Sequence, residues 1–386
     1  MNAPLRILIL SSRFPDRARP YFGNFVGEQV LALAARPGIE VEVVTPVPVS
    51  LFPFSIRKSG RVVRALPVED EWRGIRVTRP RYRSLSRMPA RDGASLASAV
   101  VPLLGRIRER FPFDVIAAQF FWPEGPAAVA AGHALGVPVS VKGRGHDVAH
   151  WAHHGAPALD GASGFLAVSA ALREQMIALG IPAERIAVHY TGIDHGRFTL
   201  ADRAAAKAAL GLEGPVLLSA GNLSPNKNQR LLIDALKRIE GATLLIAGGG
   251  SQFDALERQV RALGLESRVR MLGYVPHEQM PGLYAAADVT VHASRNEGVA
   301  NVWVESLACG TPVVTTRVGG AAEIVDRPAA GRLADPDPAA IASAVSGLLA
   351  DPPERTETAE ATARFSLAGN AEQLETHLRA LVAAQA

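Results

Sequence analysis

Short, continuously apolar segments alternate with helical ones along this chain, and they do so in two successive series. Leu5-Arg6-Ile7-Leu8-Ile9-Leu10 opens the first series, followed by a Gly/Pro-bearing loop and a helix over residues 26–35. Strands are then expected at residues 41–45, 115–118, 138–142 and 164–168, the last leading into a helix with Ser169 as its N-cap. Strands apolar on both faces and spaced by helices predict a parallel sheet covered on both sides. The pattern breaks between Gly192 and Gly214 and resumes at Pro215-Val216-Leu217-Leu218-Ser219-Ala220, with further strands at 242–247, 269–272, 289–292 and 312–315. The same kind of unit therefore occurs twice, with a hinge near residue 200. Ligands of doubly wound sheets bind beyond the carboxyl ends of the strands, so a cleft between two such units is the expected site. Leu374, Leu378 and Leu381 fall at helical spacing within residues 369–382 and predict an amphipathic closing helix.

Length and composition agree with two domains. A chain of 386 residues exceeds one ordinary core, and 48% hydrophobic with 20% charged residues is globular rather than disordered. No apolar run approaches the ~20 residues that span a bilayer. The apolar N-terminus runs into Ser11-Ser12-Arg13-Phe14-Pro15 without a small-residue cleavage pattern, so it reads as a first strand and not a signal peptide. Cys309 is the single cysteine, which rules out an intrachain disulfide and cysteine-rich metal chemistry and suits a reducing compartment. The histidines show no ligand spacing with carboxylates, His153-His154 read as part of a polar loop, and no metal is expected. Net charge is +4, yet between Arg57 and Arg91 eleven Arg or Lys residues face three acids, Glu69, Asp70 and Glu71. That stretch is either a solvated, loop-rich face or a surface for anionic lipid headgroups or a phosphate-bearing acceptor. Few aromatics interleave with the charge and no nucleic-acid motif accompanies it, so no nucleic-acid partner is expected.

The most informative segment is Asn296-Glu297-Gly298-Val299-Ala300-Asn301-Val302-Trp303-Val304-Glu305. Gly298 lets the chain turn and brings backbone N–H groups toward an anion. A helix over 301–308 then points its N-terminus at that anion, and Glu305, two turns on, shares the face of the loop. One carboxylate can hold a sugar while the other accepts hydrogen bonds from a ribose diol. By itself a Glu pair equally fits a polar first turn with a solvent-facing Glu. The text continues Ser306-Leu307-Ala308-Cys309-Gly310-Thr311-Pro312-Val313-Val314, then Gly319-Gly320 and Glu323-Ile324-Val325. This run closely resembles the retaining glycosyltransferases of family 4, with their GT-B fold and Glu-x7-Glu signature. The resemblance covers nearly the whole chain and is strongest between Gly192 and Val325.

It implies an α/β GT-B architecture: two Rossmann-like, doubly wound parallel-sheet domains facing a central cleft. Residues 1–195, completed by a C-terminal helix at 369–386, would be the acceptor domain, and residues 196–368 the nucleotide-sugar donor domain. Thr191-Gly192-Ile193-Asp194 followed by Phe198 resembles the family's interdomain segment. Ala220-Gly221-Asn222-Leu223-Ser224-Pro225-Asn226-Lys227 resembles the segment whose Arg and Lys grip the donor diphosphate. Lys227 matches; Asn222 stands where Arg is usual and can donate a hydrogen bond but no charge. As a solvated lysine at a helix start Lys227 would oppose the helix dipole, which favours the anion-binding reading. Leu244 to Gly250 is a strand running into the glycine loop Gly248-Gly249-Gly250, and Leu272-Gly273-Tyr274-Val275 resembles the segment framing the nucleobase, with Tyr274 either stacked on it or packed in the core. Tyr21-Phe22-Gly23-Asn24-Phe25-Val26 resembles the first-domain Gly-x-Phe loop, where Gly23 would admit a phosphate at a helix N-terminus or serve a plain βα turn. Lys142-Gly143-Arg144-Gly145-His146-Asp147 lies where the family has His-Gly-x-Asp. Arg144 occupies the usual His column and His146 follows two residues later, so either could serve as the catalytic-region group.

The resemblance implies a metal-independent hexosyltransferase with no cofactor, using a nucleoside-diphosphate sugar such as a UDP- or GDP-sugar as co-substrate. Lys227, the amides of Gly298, Val299, Ala300 and Asn301, and the helix N-terminus would carry the leaving diphosphate. Glu297 would orient the donor sugar and Glu305 the ribose. The acceptor would be a glycan or lipid-linked molecule, in cell-surface polysaccharide synthesis. The enzyme would be cytoplasmic, or peripheral at the inner membrane face through the 57–91 stretch. Two other classes stay open, a GT-B sugar-nucleotide 2-epimerase and a non-catalytic sugar-nucleotide-binding subunit, the latter because of Asn222 and Arg144. A nicotinamide dehydrogenase is disfavoured, because no Gly-x-Gly-x-x-Gly follows the first strand.

Overall fold

Along the first strand, alternate side chains go to opposite cores. Leu8 and Leu10 pack with Leu96, Val100 and Leu104 of the helix Asp92–Arg110 and with Ala127, Ala128 and Ala131 of the helix Glu124–Leu135. Leu5, Ile7 and Ile9 pack instead with Val26, Val30 and Leu33 of the helix Asn24–Ala34 and with Leu374 and Leu378 of the helix Leu367–Gln385. A period of two with both faces apolar is what sandwiches a parallel sheet between helix layers. The structure is a computed structural model that describes residues 3–50, 65–84, 91–154 and 159–385.

The chain divides into two units, residues 1–190 with 367–386, and residues 191–366. Unit 1 contains β1 (Leu5–Leu10), β2 (Ile39–Val44), β3 (Val47–Ser50), β4 (Glu69–Trp72), β5 (Ile75–Thr78) and β6 (Arg81–Ser84). It continues with β7 (Val115–Ala118), β8 (Val139–Gly143), β9 (Gly164–Ala167) and β10 (Ile186–Val188). Among the described residues the large sheet has the order β10-β9-β8-β7-β1-β2-β5-β4, parallel except for the antiparallel edge pair β4–β5, and β3 pairs with β6 separately. Ser169 caps the helix Ala170–Ala178 as expected, its side chain accepting from the Leu172 N–H at 3.1 Å. The closing helix is tied to this unit by more than leucines. Gln29 Nε2 donates to Asn370 Oδ1 at 2.7 Å, and Arg36 pairs with Glu375.

Unit 2 contains β11 (Val216–Ala220), β12 (Thr243–Ala247), β13 (Val269–Gly273), β14 (Val289–Val291), β15 (Val313–Thr316) and β16 (Gly331–Ala334). They form a fully parallel sheet in the order β13-β12-β11-β14-β15-β16. Leu217, Leu244 and Val289 pack with Leu232, Ile233, Leu256, Val260, Ile341 and Val345 of the flanking helices. Each half is thus a Rossmann-like parallel sheet, the fold class expected from the strand–helix alternation.

Part of the chain folds otherwise than expected. Within the basic 57–91 stretch, residues 69–84 are not a loop but form β4, β5 and β6. Arg73 and Gly74 make the hairpin turn with φ of 49° and 82°, the left-handed conformation that two-residue turns between twisted strands require. Within the same basic stretch Arg79 is buried and ion-paired to Asp70 at 2.9 Å, while residues 57–64 and 85–90 lie outside the described residues. β10 and β16 were not anticipated either.

Candidate active site

In unit 2 the segment leaving β14 is fastened from two sides before it enters the helix Asn301–Ala308. On one side the Arg295 N–H donates to the Asn226 carbonyl at 2.8 Å, and Asn226 Nδ2 donates to the Asn296 carbonyl at 2.8 Å. On the other, the Gly320 N–H donates to the Gly298 carbonyl at 2.7 Å. Gly319 has φ 48°, and a Cβ there would stand 1.9 Å from the Glu297 carbonyl oxygen, so only glycine lets the two loops approach this closely. The glycine loop after β12 does the same for the segment after β11. A Cβ on Gly250 would lie 2.2 Å from the Leu223 carbonyl oxygen, and the Leu223 N–H donates to Gly249 at 2.9 Å. His292 joins the ends of β14 and β11, its Nε2 donating to the Ala220 carbonyl at 2.9 Å; burial pushes its pKa down to about 4, so the ring is neutral.

This lacing brings Lys227, Glu297, Gly298, Val299, Ala300 and Asn301 together. Lys227 Nζ lies 2.6 Å from Glu297 Oε1 in a mostly buried ion pair. Ala300 is the N-cap of the helix Asn301–Ala308 and supplies no side-chain cap, while its carbonyl accepts from the Trp303 N–H at 3.0 Å. Asn301 Oδ1 accepts from Thr191 Oγ1 at 2.8 Å, which anchors the helix start to the segment that opens unit 2. Glu305 is only 5% exposed, so it is not a solvent-facing glutamate. Its Oε2 accepts from Tyr284 Oη at 2.8 Å and its Oε1 from His277 Nε2 at 3.0 Å. Burial and the adjacent Glu305 charge push the Tyr284 phenol well above its ordinary pKa, so it stays a donor.

Asn222 is exposed just beyond β11, and Gln229 Nε2 approaches its carbonyl at 3.4 Å. Tyr274, directly after β13, is 58% exposed and is therefore not a core tyrosine. Among the described residues, unit 2 brings together the Lys227 cation, a helix start with no side-chain cap, and the Glu297 and Glu305 carboxylates. Such a set can hold a diphosphate and accept hydrogen bonds from hydroxyls.

The unit 1 residues gather at the carboxyl ends of β1, β7 and β8. Gly23 adopts φ 72° before the helix Asn24–Ala34, and a Cβ there would lie 2.4 Å from the Arg13 carbonyl; the close approach it serves in this structure is to the chain itself. Arg144 donates from Nε to the Gln119 carbonyl at 3.0 Å and from Nη2 to Gln119 Oε1 at 2.7 Å, and its guanidinium lies over Phe25 and Phe120. Burial, partly opposed by Asp147, pushes its pKa down to about 10, so it remains a cation at neutral pH. Asp147 ties the turn together by accepting from the Arg144 N–H at 2.9 Å and the Phe121 N–H at 2.8 Å. His146 opens the helix His146–His154, and its side chain lies outside what the structure describes.

Several groups near these residues were not singled out from the sequence. His277 and Tyr284 bond Glu305, Arg197 stands behind His277, and Gln119 and Glu124 stand beside Arg144. Lys142 is buried with its Nζ 2.6 Å from His189 Nδ1, and burial holds its pKa well below the ordinary lysine value. A polar residue inside an apolar strand, as in Val139–Gly143, was the available signal for Lys142.

Residues 202–365 match the family described as glycosyl transferases group 1, and residues 23–192 the glycosyl transferase 4-like domain. The D-inositol 3-phosphate glycosyltransferase of Mycolicibacterium smegmatis is 32% identical over 389 residues, covering 91% of this chain and 81% of that protein. From the same organism, the GDP-mannose-dependent alpha-(1-6)-phosphatidylinositol monomannoside mannosyltransferase is 37% identical over 176 residues, covering 42% and 46% of the two chains. Among solved structures, Anabaena Alr3699/HepE in complex with UDP-glucose superposes with TM-score 0.73 at 24% identity, covering 97% of this chain and 100% of that one. Sucrose-phosphate synthase from Thermosynechococcus elongatus gives TM-score 0.79 at 21% identity, covering 98% and 100%.

Proposed function

Because the chain belongs to the GT-B glycosyltransferases of family 4, we propose that it moves a hexosyl unit from a nucleoside-diphosphate sugar to a glycan or lipid-linked acceptor with retention of anomeric configuration. The observation that carries this reading is the Lys227–Glu297 pair at the head of the helix Asn301–Ala308, with Glu305 buried about one turn into that helix. Breaking the anomeric C–O bond builds charge on the diphosphate while the sugar becomes oxocarbenium-like. Lys227 and the first-turn amides would take up the leaving-group charge without a metal ion. A diphosphate drawn to Lys227 competes with Glu297, which frees that carboxylate to accept from the donor sugar's hydroxyls. Glu305 would accept from the ribose diol. The named requirement of one relative for GDP-mannose and the UDP-glucose complex of one structural neighbour support the donor class.

For the acceptor, relatives named for inositol 3-phosphate and for a phosphatidylinositol mannoside support a phosphate-bearing or lipid-linked molecule. The basic stretch from Arg57 to Arg91 supports its presentation at an anionic membrane face, as in cell-surface polysaccharide synthesis. Co-sedimentation with vesicles containing anionic lipid, lost at high salt, is the expected behaviour; equal recovery on neutral vesicles contradicts it.

The transferase reading is tested with UDP-, GDP- and ADP-sugars against glycan, phosphosugar and lipid-linked acceptors. Lys227→Ala and Glu305→Ala should raise the donor KM about 10- to 100-fold, the scale of one lost charge-assisted hydrogen bond. Glu297→Ala should act mainly on kcat, lowering it by roughly two orders of magnitude. Wild-type kinetics in all three variants would dismiss the site assignment.

A further inference from the structure

A line of side chains within unit 2 runs from the segment that opens the unit to the buried end of the Glu-x7-Glu pair. Asp194 Oδ2 lies 3.8 Å from Arg197 Nη2, Arg197 Nη1 lies 3.2 Å from His277 Nδ1, and His277 Nε2 lies 3.0 Å from Glu305 Oε1. Tyr284 Oη completes the line on the other carboxylate oxygen at 2.8 Å. Chemistry fixes the direction of each bond. A guanidinium can only donate, so His277 Nδ1 must offer its lone pair. The ring proton then sits on Nε2 and points at the carboxylate. Phe198 packs against both donors, its ring centroid 5.2 Å from that of His277 and 6.1 Å from that of Tyr284.

A carboxylate has about four acceptor positions. His277 and Tyr284 engage one on each oxygen, which fixes the plane of the group and leaves a lone pair on each oxygen for a further donor. Two adjacent donors on one ligand are what a ribose 2′,3′-diol presents. Without His277, a side chain as enclosed as Glu305 would be held at one oxygen only and would lose its orientation.

We propose that His277 is a positioning residue that presets the Glu305 carboxylate for the donor's ribose diol, and that Arg197 holds His277 in the tautomer this needs. The inference rests on the reading of Glu305 as the ribose acceptor. Its test therefore compares UDP and GDP with their 2′,3′-dideoxy forms, titrated by calorimetry into the full chain and its variants. The wild type prefers the ribose form by about tenfold or more, the scale of lost hydrogen bonds to a charged group. His277→Ala narrows that preference to about threefold or less by weakening the ribose form alone, raising the donor KM with kcat nearly unchanged. His277→Gln, whose side-chain amide nitrogen reaches the place of Nε2, restores the preference. Arg197→Gln, which keeps the imidazole and releases its tautomer, narrows it partially, and it serves if the alanine variant does not fold.

A preference retained in both His277→Ala and Arg197→Gln overturns this proposal and leaves the reading of Glu305 intact. Equal loss of affinity for the ribose and dideoxy forms also overturns it, since that marks a merely structural role. No preference in the wild type removes the reading of Glu305 itself and this inference with it.

Discussion

Glu124 shows how far the interior of unit 1 changes a single side chain. It is fully buried, its Oε1 accepts from the Ser12 N–H at 2.7 Å, and its Oε2 has no hydrogen-bond partner among the described residues. Burial pushes its pKa from 4.5 up to about 7, so between those values the folded chain holds a proton that the unfolded chain has released. Its contribution to stability is therefore complete below pH 4.5 and is lost as the pH rises through 7, by about 3 kcal/mol in all. Thermal melts should show the midpoint falling between about pH 4.5 and 7 and levelling off above, and Glu124→Gln should flatten that slope; an equal slope in both proteins would refute the assignment. At Gly319 the constraint is steric. Gly319→Ala should destabilise unit 2 by about 1–3 kcal/mol and weaken nucleotide binding, because the added carbon meets the Glu297 carbonyl. Normal affinity for UDP and GDP in that variant would show that the two loops can separate without harm. The resemblance picks out Glu297, Glu305 and Lys227 by spacing alone, and the structure pairs Lys227 with Glu297 and buries Glu305. Tyr284 gave a weaker signal, a phenol inside the apolar run Leu283-Tyr284-Ala285-Ala286 that must find an acceptor once buried. His277 gave none, since its partners are 80 residues before it and 28 after it.

Among the elements, legibility followed how local the signal is. β1, β7 and β11 are apolar on both faces, so composition and length alone mark them as buried parallel strands. The β4–β5 hairpin escaped because Glu69-Asp70-Glu71-Trp72 and Ile75-Arg76-Val77-Thr78 read first as charge. Its turn was written in Arg73-Gly74, a pairing in which only the glycine advertises positive φ. The edge strand β16, with Arg332 between Gly331 and Leu333, is short and mixed for a related reason: among the described residues one of its sides has no neighbouring strand. The helix Leu367–Gln385 was legible as an amphipathic element, and its contacts make a definite prediction. Leu374 is 1% exposed against the face of the sheet that holds Ile7 and Ile9, so Leu374→Ala should cost about 2–5 kcal/mol of the stability of unit 1. Denaturant unfolding followed by a probe in unit 1 measures it, and a loss below 1 kcal/mol would mean the helix is dispensable there.

At the level of the whole molecule, each unit has its own core, and chains of this kind need not unfold in one step. A nucleotide held by the unit 2 groups stabilises that unit by about 2.7 kcal/mol at a concentration 100 times its Kd. Amide exchange should therefore slow across β11–β16 on adding the nucleotide, while Leu374→Ala accelerates exchange in β1 and β2 without it. Uniform protection across both units would contradict independent cores. The division also means that the chain passes from unit 1 into unit 2 after Tyr190 and returns after Ser366. During synthesis, the sheet begun at Leu5 must wait for all of residues 191–366 to be translated before Leu374 and Leu378 can reach it. At ~5–20 residues per second that delay is on the order of ten seconds or more, long enough for the inserted unit to fold first. The nascent chain thus carries a partly uncovered apolar face through that interval, and the half that is started earlier is finished later.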